Sequence, residues 1–101
     1  MPVNNISHSQ KSNERAEKAR SDGNKLYVER NFFDALLKYN ESASHALKGE
    51  ALGLAYANRS AVYFEMKLFE KCMKNIELAK LNGYPKTNFA TLAKRAEKCT
   101  E

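Results

Sequence analysis

Tryptophan is absent, and only two cysteines, two prolines and four glycines are spread through the 101 residues. Each shortage closes a class of protein. Cys72 and Cys99 stand in no Cys-x-x-Cys arrangement and have only His8 and His45 for company, so neither a disulfide scaffold nor a zinc site is expected. The two thiols are read as free and buried in a reducing compartment, and no metal or cofactor is expected. Few prolines and glycines leave little punctuation for a sheet protein. No apolar run approaches the roughly 18 residues of a membrane span. Met1 to Gln10 is too polar for a secretory leader, so the expected location is cytosolic or nuclear. A Gly-rich phosphate loop, paired carboxylates in a plausible cleft and a Ser-His-Asp order are all missing, so these residues alone are not expected to form an enzyme.

Charge is abundant instead. Seventeen Lys and Arg face twelve Asp and Glu, for a formal net charge of +5. In the first half, Glu14, Glu17, Asp22, Glu29, Asp34, Glu41 and Glu50 interleave with the cations. The excess falls in the second half, where Lys67, Lys71, Lys74, Lys80, Lys86, Lys94, Arg95 and Lys98 outnumber Glu65, Glu70, Glu77 and Glu97. That gradient suits an acidic peptide better than a nucleic-acid groove, and no nucleic-acid motif accompanies it. Neither specific nucleic acid nor a membrane is expected as a partner.

The chain also repeats itself. Phe32 and Phe69, Ala35 and Cys72, Tyr39 and Ile76, and Ser42 and Ala79 are each separated by 37 positions. Gly23 to Tyr27 returns in altered form in Asn58 to Tyr63. A period near this length marks stacked helix pairs, and Ala, Leu, Lys and Glu are the composition for them. The expected fold is all-α, an antiparallel helix-pair solenoid of about two and a half repeats in five helices.

The first helix is expected from Ser12, an N-cap with Glu14 in the first turn, to about Arg30, burying Ala16, Ala19, Gly23 and Leu26. The second starts near Phe33 and turns Ala35, Leu36, Tyr39, Ala43 and Ala46 toward its partner. Gly23, Ala35 and Ser42 are small where helices cross closely. Lys48-Gly49-Glu50 reads as a stop and restart. A third helix from Glu50 to about Met66 carries Leu54, Ala57, Ala61 and Phe64. The fourth, from about Leu68, carries Phe69, Cys72, Met73, Ile76 and Ala79, and stops at Asn82-Gly83 before Pro85. A fifth presents Phe89, Leu92, Ala93, Ala96 and Cys99.

These residues resemble a tetratricopeptide (TPR) repeat protein from about Asn13 to Cys99. Met1 to Gln10, rich in Asn, Ser, His and Gln without helical periodicity, reads as part of a disordered tail at 1–11. The resemblance implies a TPR domain at 12–101, repeat one at about 16–49, repeat two at about 53–86, and a partial third helix at 86–100. Ser42 and Cys72 depart from the alanines favoured there, but both are small. Leu54-Ala55-Tyr56-Ala57-Asn58-Arg59-Ser60-Ala61-Val62-Tyr63, Gly83-Tyr84-Pro85 and Lys94-Arg95-Ala96-x-x-Cys99 are similar to the TPR segment of SET- and MYND-domain proteins, a methyltransferase-like branch. This chain has too few cysteines for a MYND module and too few residues for a SET domain, so any catalysis would belong to a longer parent.

In such solenoids the first helix of each pair lines a concave groove. Arg20, Asn24 and Tyr27 share one helical face, with Asn58 on the next inner helix and Lys94 on the last. The set resembles the carboxylate clamp of co-chaperone TPR domains, which implies binding of the acidic C-terminal tails of heat-shock chaperones. Arg20, Asn24, Asn58 and Lys94 fit the pattern, while Ala90 stands where a lysine is wanted. Asn24 and Asn58 read equally well as amides bonded between helices. Tyr27, Tyr39 and Tyr63 read as packing residues with surface hydroxyls, and His45 as a solvated helix position. The alternative to peptide binding is an architectural repeat that packs on other domains or self-associates through Phe89, Leu92 and Ala96. The end at Cys99-Thr100-Glu101, without a polar capping helix, suggests a truncated product, a lone segment or pairing with a second copy.

Overall fold

The computed structural model describes residues 12–101, so the tail expected at 1–11 lies outside the described residues. The chain folds as α1 (Asn13–Val28), α2 (Phe32–His45), α3 (Glu50–Glu65), α4 (Phe69–Leu81), a single 3-10 turn (Lys86–Asn88) and α5 (Phe89–Cys99). There is no strand among the described residues. The five helices form the antiparallel pairs of a helical repeat solenoid: α1 packs on α2 and α3 on α4. Within the row α1, α3, α5, each helix also touches the next.

Local chemistry sets the boundaries. Ser12 is extended and its hydroxyl accepts the Arg15 amide at 3.1 Å, satisfying one of the free N–H groups at the start of α1. The helix ends at Val28, slightly before the expected Arg30, because Arg30 turns left-handed at φ 64°. There the Asn31 amide donates to the Leu26 carbonyl at 2.9 Å. Lys67, 37 residues on, has the same φ of 64°, and Leu68 N–H donates to Tyr63 at 2.9 Å. The repeat thus extends to a backbone turn made twice by a cationic residue, at a cost of about 1 kcal/mol each for lacking glycine. Gly83, at φ 97°, ends α4 as expected, and Tyr84 N–H reaches back to the Ala79 carbonyl at 3.1 Å.

Burial follows the same period. Ala35 and Cys72, Tyr39 and Ile76, and Ser42 and Ala79 are all buried. Ser42 also explains its own departure from alanine: its hydroxyl donates to the Ala16 carbonyl at 2.8 Å across the close crossing of α1 and α2. Two apolar clusters result. One gathers Ala35, Tyr39 and Val62 with Leu26 and Leu36 against it; the other gathers Ala57, Cys72, Ile76, Ala79 and Leu92.

The third helix departs from expectation. Gly53, Ala55, Ala57, Ser60 and Val62 are its buried residues, whereas Leu54, Ala61 and Phe64 are half-buried. Its neighbours are α1, α2, α4 and α5, so it contributes to both clusters and has no single inward stripe. Gly53 permits a close approach: a Cβ there would run into the backbone of Gly83 and Tyr84. Glycine mid-helix normally costs about 1 kcal/mol relative to alanine, and here contact between backbones requires it.

Candidate functional site: a cationic groove along the inner helices

The inner row leaves a solvent-open cavity of about 260 Å³ between Tyr27 at the end of α1, Ala61, Phe64 and Glu65 on α3, and Thr91, Lys94, Arg95 and Lys98 on α5. The α5 residues recur at i, i+3, i+4 and i+7, which places them on one helical face. Lys94 and Lys98 are exposed. Arg95 is half-buried and held: its Nη1 donates to Ser60 Oγ at 2.9 Å and lies 3.4 Å from the Ala57 carbonyl. Ser60 Oγ in turn donates to that carbonyl at 2.6 Å. Arg95 therefore ties α5 to α3 through a small buried polar network. The two lysines beside it are left to face solvent.

Opposite these cations, the Tyr27 hydroxyl donates to Glu65 Oε2 at 3.3 Å, and the Tyr27 ring meets Phe32 edge-on with centroids 5.5 Å apart. Burial pushes the Tyr27 phenol up, and the adjacent Glu65 carboxylate pushes in the same direction. Glu65 is the one acid against three basic residues in the lining, so the groove favours anions.

Of the residues expected to form a site, Tyr27 and Lys94 are brought to this cavity. Arg20, Asn24 and Asn58 are not in its lining. Arg20 is engaged on its own helix, with Nη2 2.7 Å from Glu17 Oε2. Asn24 is bonded between helices: its Oδ1 accepts the Tyr39 hydroxyl at 2.6 Å. This corrects the expectation of a surface hydroxyl on Tyr39, a residue only 1% exposed whose phenol is pushed up to about 12, chiefly by burial. Asn58 sits one turn before Ala61 with its Oδ1 shielded from solvent and without a hydrogen-bond partner. Ala90 is exposed on α5, one turn before Lys94.

Arg95, Lys98 and Glu65 were not singled out from the sequence as site residues, although the helical spacing of Thr91, Lys94, Arg95 and Lys98 contains the signal for the two on α5. The three residues expected to mediate self-association pack within the chain. Leu92 is fully buried, Ala96 packs on the same cluster, and Phe89 is half-buried and stacked on Tyr84 with centroids 6.2 Å apart. Their apolar surface is already used to cover repeat two. Among the described residues no group of three or more His, Cys, Asp or Glu gathers as a metal site, and no helix is long and apolar enough to cross a membrane.

With this geometry in view, the relatives of the chain are informative. It is similar to a segment of protein-lysine N-methyltransferase SMYD4. The Mus musculus protein is 35% identical over 81 residues, covering 79% of this chain and 10% of the relative. The Homo sapiens protein is 33% identical over the same length and shares. The Danio rerio protein is 37% identical over 76 residues, covering 74% of this chain and 10% of the relative. The chain thus spans about a tenth of the length of the curated relatives it matches. No family model matches it, and no solved structure does. The part of this chain that matches is helical.

Proposed function

We propose that the chain is a TPR-like interaction segment of a SET/MYND-type protein, with its repeats at about 16–49 and 53–86 and a third inner helix at 86–100. Its inner groove holds an acidic peptide, including one that ends in a free carboxylate such as the tail of a heat-shock chaperone. The observation that carries this reading is the convergence of Lys94 and Lys98, with Arg95 fixed between them, on an open cavity beside Tyr27. Carboxylates form stronger hydrogen bonds to charged donors than to neutral ones, and a side-chain acid next to a chain terminus presents two of them.

Asn24 fits a supporting role. Because the Tyr39 hydroxyl occupies its oxygen, the amide N–H groups are the atoms left to meet a carboxylate. Asn58 would contribute likewise through its N–H groups, and Arg20 only after leaving Glu17. In a longer parent the segment would bring a partner to the methyltransferase.

The test is calorimetric titration with a peptide ending in Met-Glu-Glu-Val-Asp and with its C-terminally amidated form. Binding that prefers the free acid and weakens with salt is expected. Absence of heat with both peptides overturns the proposal.

A further inference from the structure

The two cysteines meet in space. Cys72, on α4, is fully buried. Cys99 closes α5, half-buried, and its Sγ donates to Cys72 Sγ at 3.1 Å. Both are free thiols, and they are the only cysteines in the chain. Ala57, Ile76, Ala79 and Leu92 form the cluster around Cys72, and Cys99 packs against its edge. The pair therefore has an apolar wall on one side and partial access through Cys99 on the other. Arg95 lies one helical turn before Cys99 and close enough to Cys72 to favour its thiolate electrostatically.

We propose that Cys72 and Cys99 form a redox modification site, at which hydrogen peroxide converts the pair into an intramolecular disulfide that fastens α5 to α4. The accessible partner reacts first. The Cys99 sulfur attacks one peroxide oxygen, the O–O bond breaks, and the departing hydroxide leaves as water with the thiol proton, giving a sulfenic acid on Cys99. The Cys72 sulfur then attacks the Cys99 sulfur. The S–S bond forms as the S–O bond breaks, and the hydroxide leaves as a second water with the Cys72 proton. Two thiols lose two electrons and two protons, and one peroxide becomes two waters.

Cys72 is fully buried and so shielded from oxidant, whereas Cys99 is partly accessible, which assigns Cys72 the resolving step. The same neighbour that eases its ionisation, Arg95, is the residue that ties α5 to α3. Cys99 stands at the helix end most prone to fray, so a covalent bond there restrains the last turn most. Fastening α5 also fixes the helix that bears Lys94, Arg95 and Lys98. That bearing on the groove rests on the peptide reading, whereas the disulfide does not.

The experiment treats the reduced chain with a small excess of hydrogen peroxide and reads intact mass, non-reducing electrophoresis and thermal melting. Expected are loss of two hydrogen atoms, no dimer, reversal by a thiol reductant, and a rise in melting temperature on the order of 10 °C. Cys99→Ala and Cys72→Ala should each abolish the mass loss and the rise. The latter variant places at this position the residue found in repeat one, Ala35, so the fold is expected to tolerate it. Oxygen addition without hydrogen loss, disulfide-linked dimers, or an oxidised chain that melts no higher than the reduced one would overturn the proposal. Because mass and melting involve no peptide, failure of peptide binding is read separately.

Discussion

Replacing Tyr39 with phenylalanine removes one oxygen from a ring that is 1% exposed and whose hydroxyl donates to Asn24 Oδ1 at 2.6 Å. The ring remains, so the apolar contacts with Ala35 and Val62 are preserved and the change reports on the hydroxyl alone. A hydrogen bond of this kind contributes about 1 kcal/mol net, and stranding the Asn24 oxygen adds up to about 1 kcal/mol, limited because Asn24 is half-buried and water reaches part of it. The expected loss is therefore about 1–2 kcal/mol. For a domain of this size each kcal/mol lowers the melting temperature by roughly 4–8 °C. Urea melts followed by circular dichroism give the free energy. A double-mutant cycle with Asn24→Ala should return a coupling of about 1 kcal/mol. A Tyr39→Phe protein within about 0.3 kcal/mol of the parent, or no coupling to Asn24, would refute the bond as the reason for Asn24's placement.

Other outcomes follow from the same packing. Gly53→Ala should destabilise by about 2 kcal/mol although alanine is the better helix former, because the new methyl meets the backbone at Gly83 and Tyr84; thermal melting that shows a stable or stabilised variant would contradict the close approach. Alkaline stability should fall in a defined window. Folded Tyr39 and Cys72 both titrate near 12, against 10 and 9 for their ordinary values, so stability is intact below pH 9 and declines as pH climbs to about 12, where the unfolded chain loses these protons first. Cys72→Ala should remove the earlier part of that decline, measured by urea melts at stepped pH. Lys94→Glu with Lys98→Glu should abolish binding of an acidic peptide while shifting stability by less than about 0.5 kcal/mol, since both side chains are exposed.

Much of the architecture was legible because it repeats. The constant offset that pairs Ala35 with Cys72 and Ser42 with Ala79 reports buried crossings directly, since only small side chains fit where two helices nearly touch. It did not foretell the left-handed turns at Arg30 and Lys67, because nothing in an arginine or lysine announces positive φ. Nor did single-stripe periodicity describe α3, whose helical neighbours on several sides make burial a matter of position in the stack. The candidate site was half legible. Tyr27 and Lys94 come together because α1, α3 and α5 form one row. Arg20 and Asn24 share a helical face with Tyr27, but face alone cannot show that Glu17 and Tyr39 engage them first. The meeting of Cys72 and Cys99 depends on how α5 lies across α4, which no local spacing encodes.

The most direct measurement of the central claim is a two-dimensional NMR titration of the 15N-labelled chain with an acidic peptide bearing a free C-terminal carboxylate. The account predicts saturable, salt-sensitive shifts centred on Tyr27, Ala61, Lys94 and Lys98, with the outer helices α2 and α4 little changed. Shifts centred on α2 and α4, or none at peptide in large excess, would contradict it.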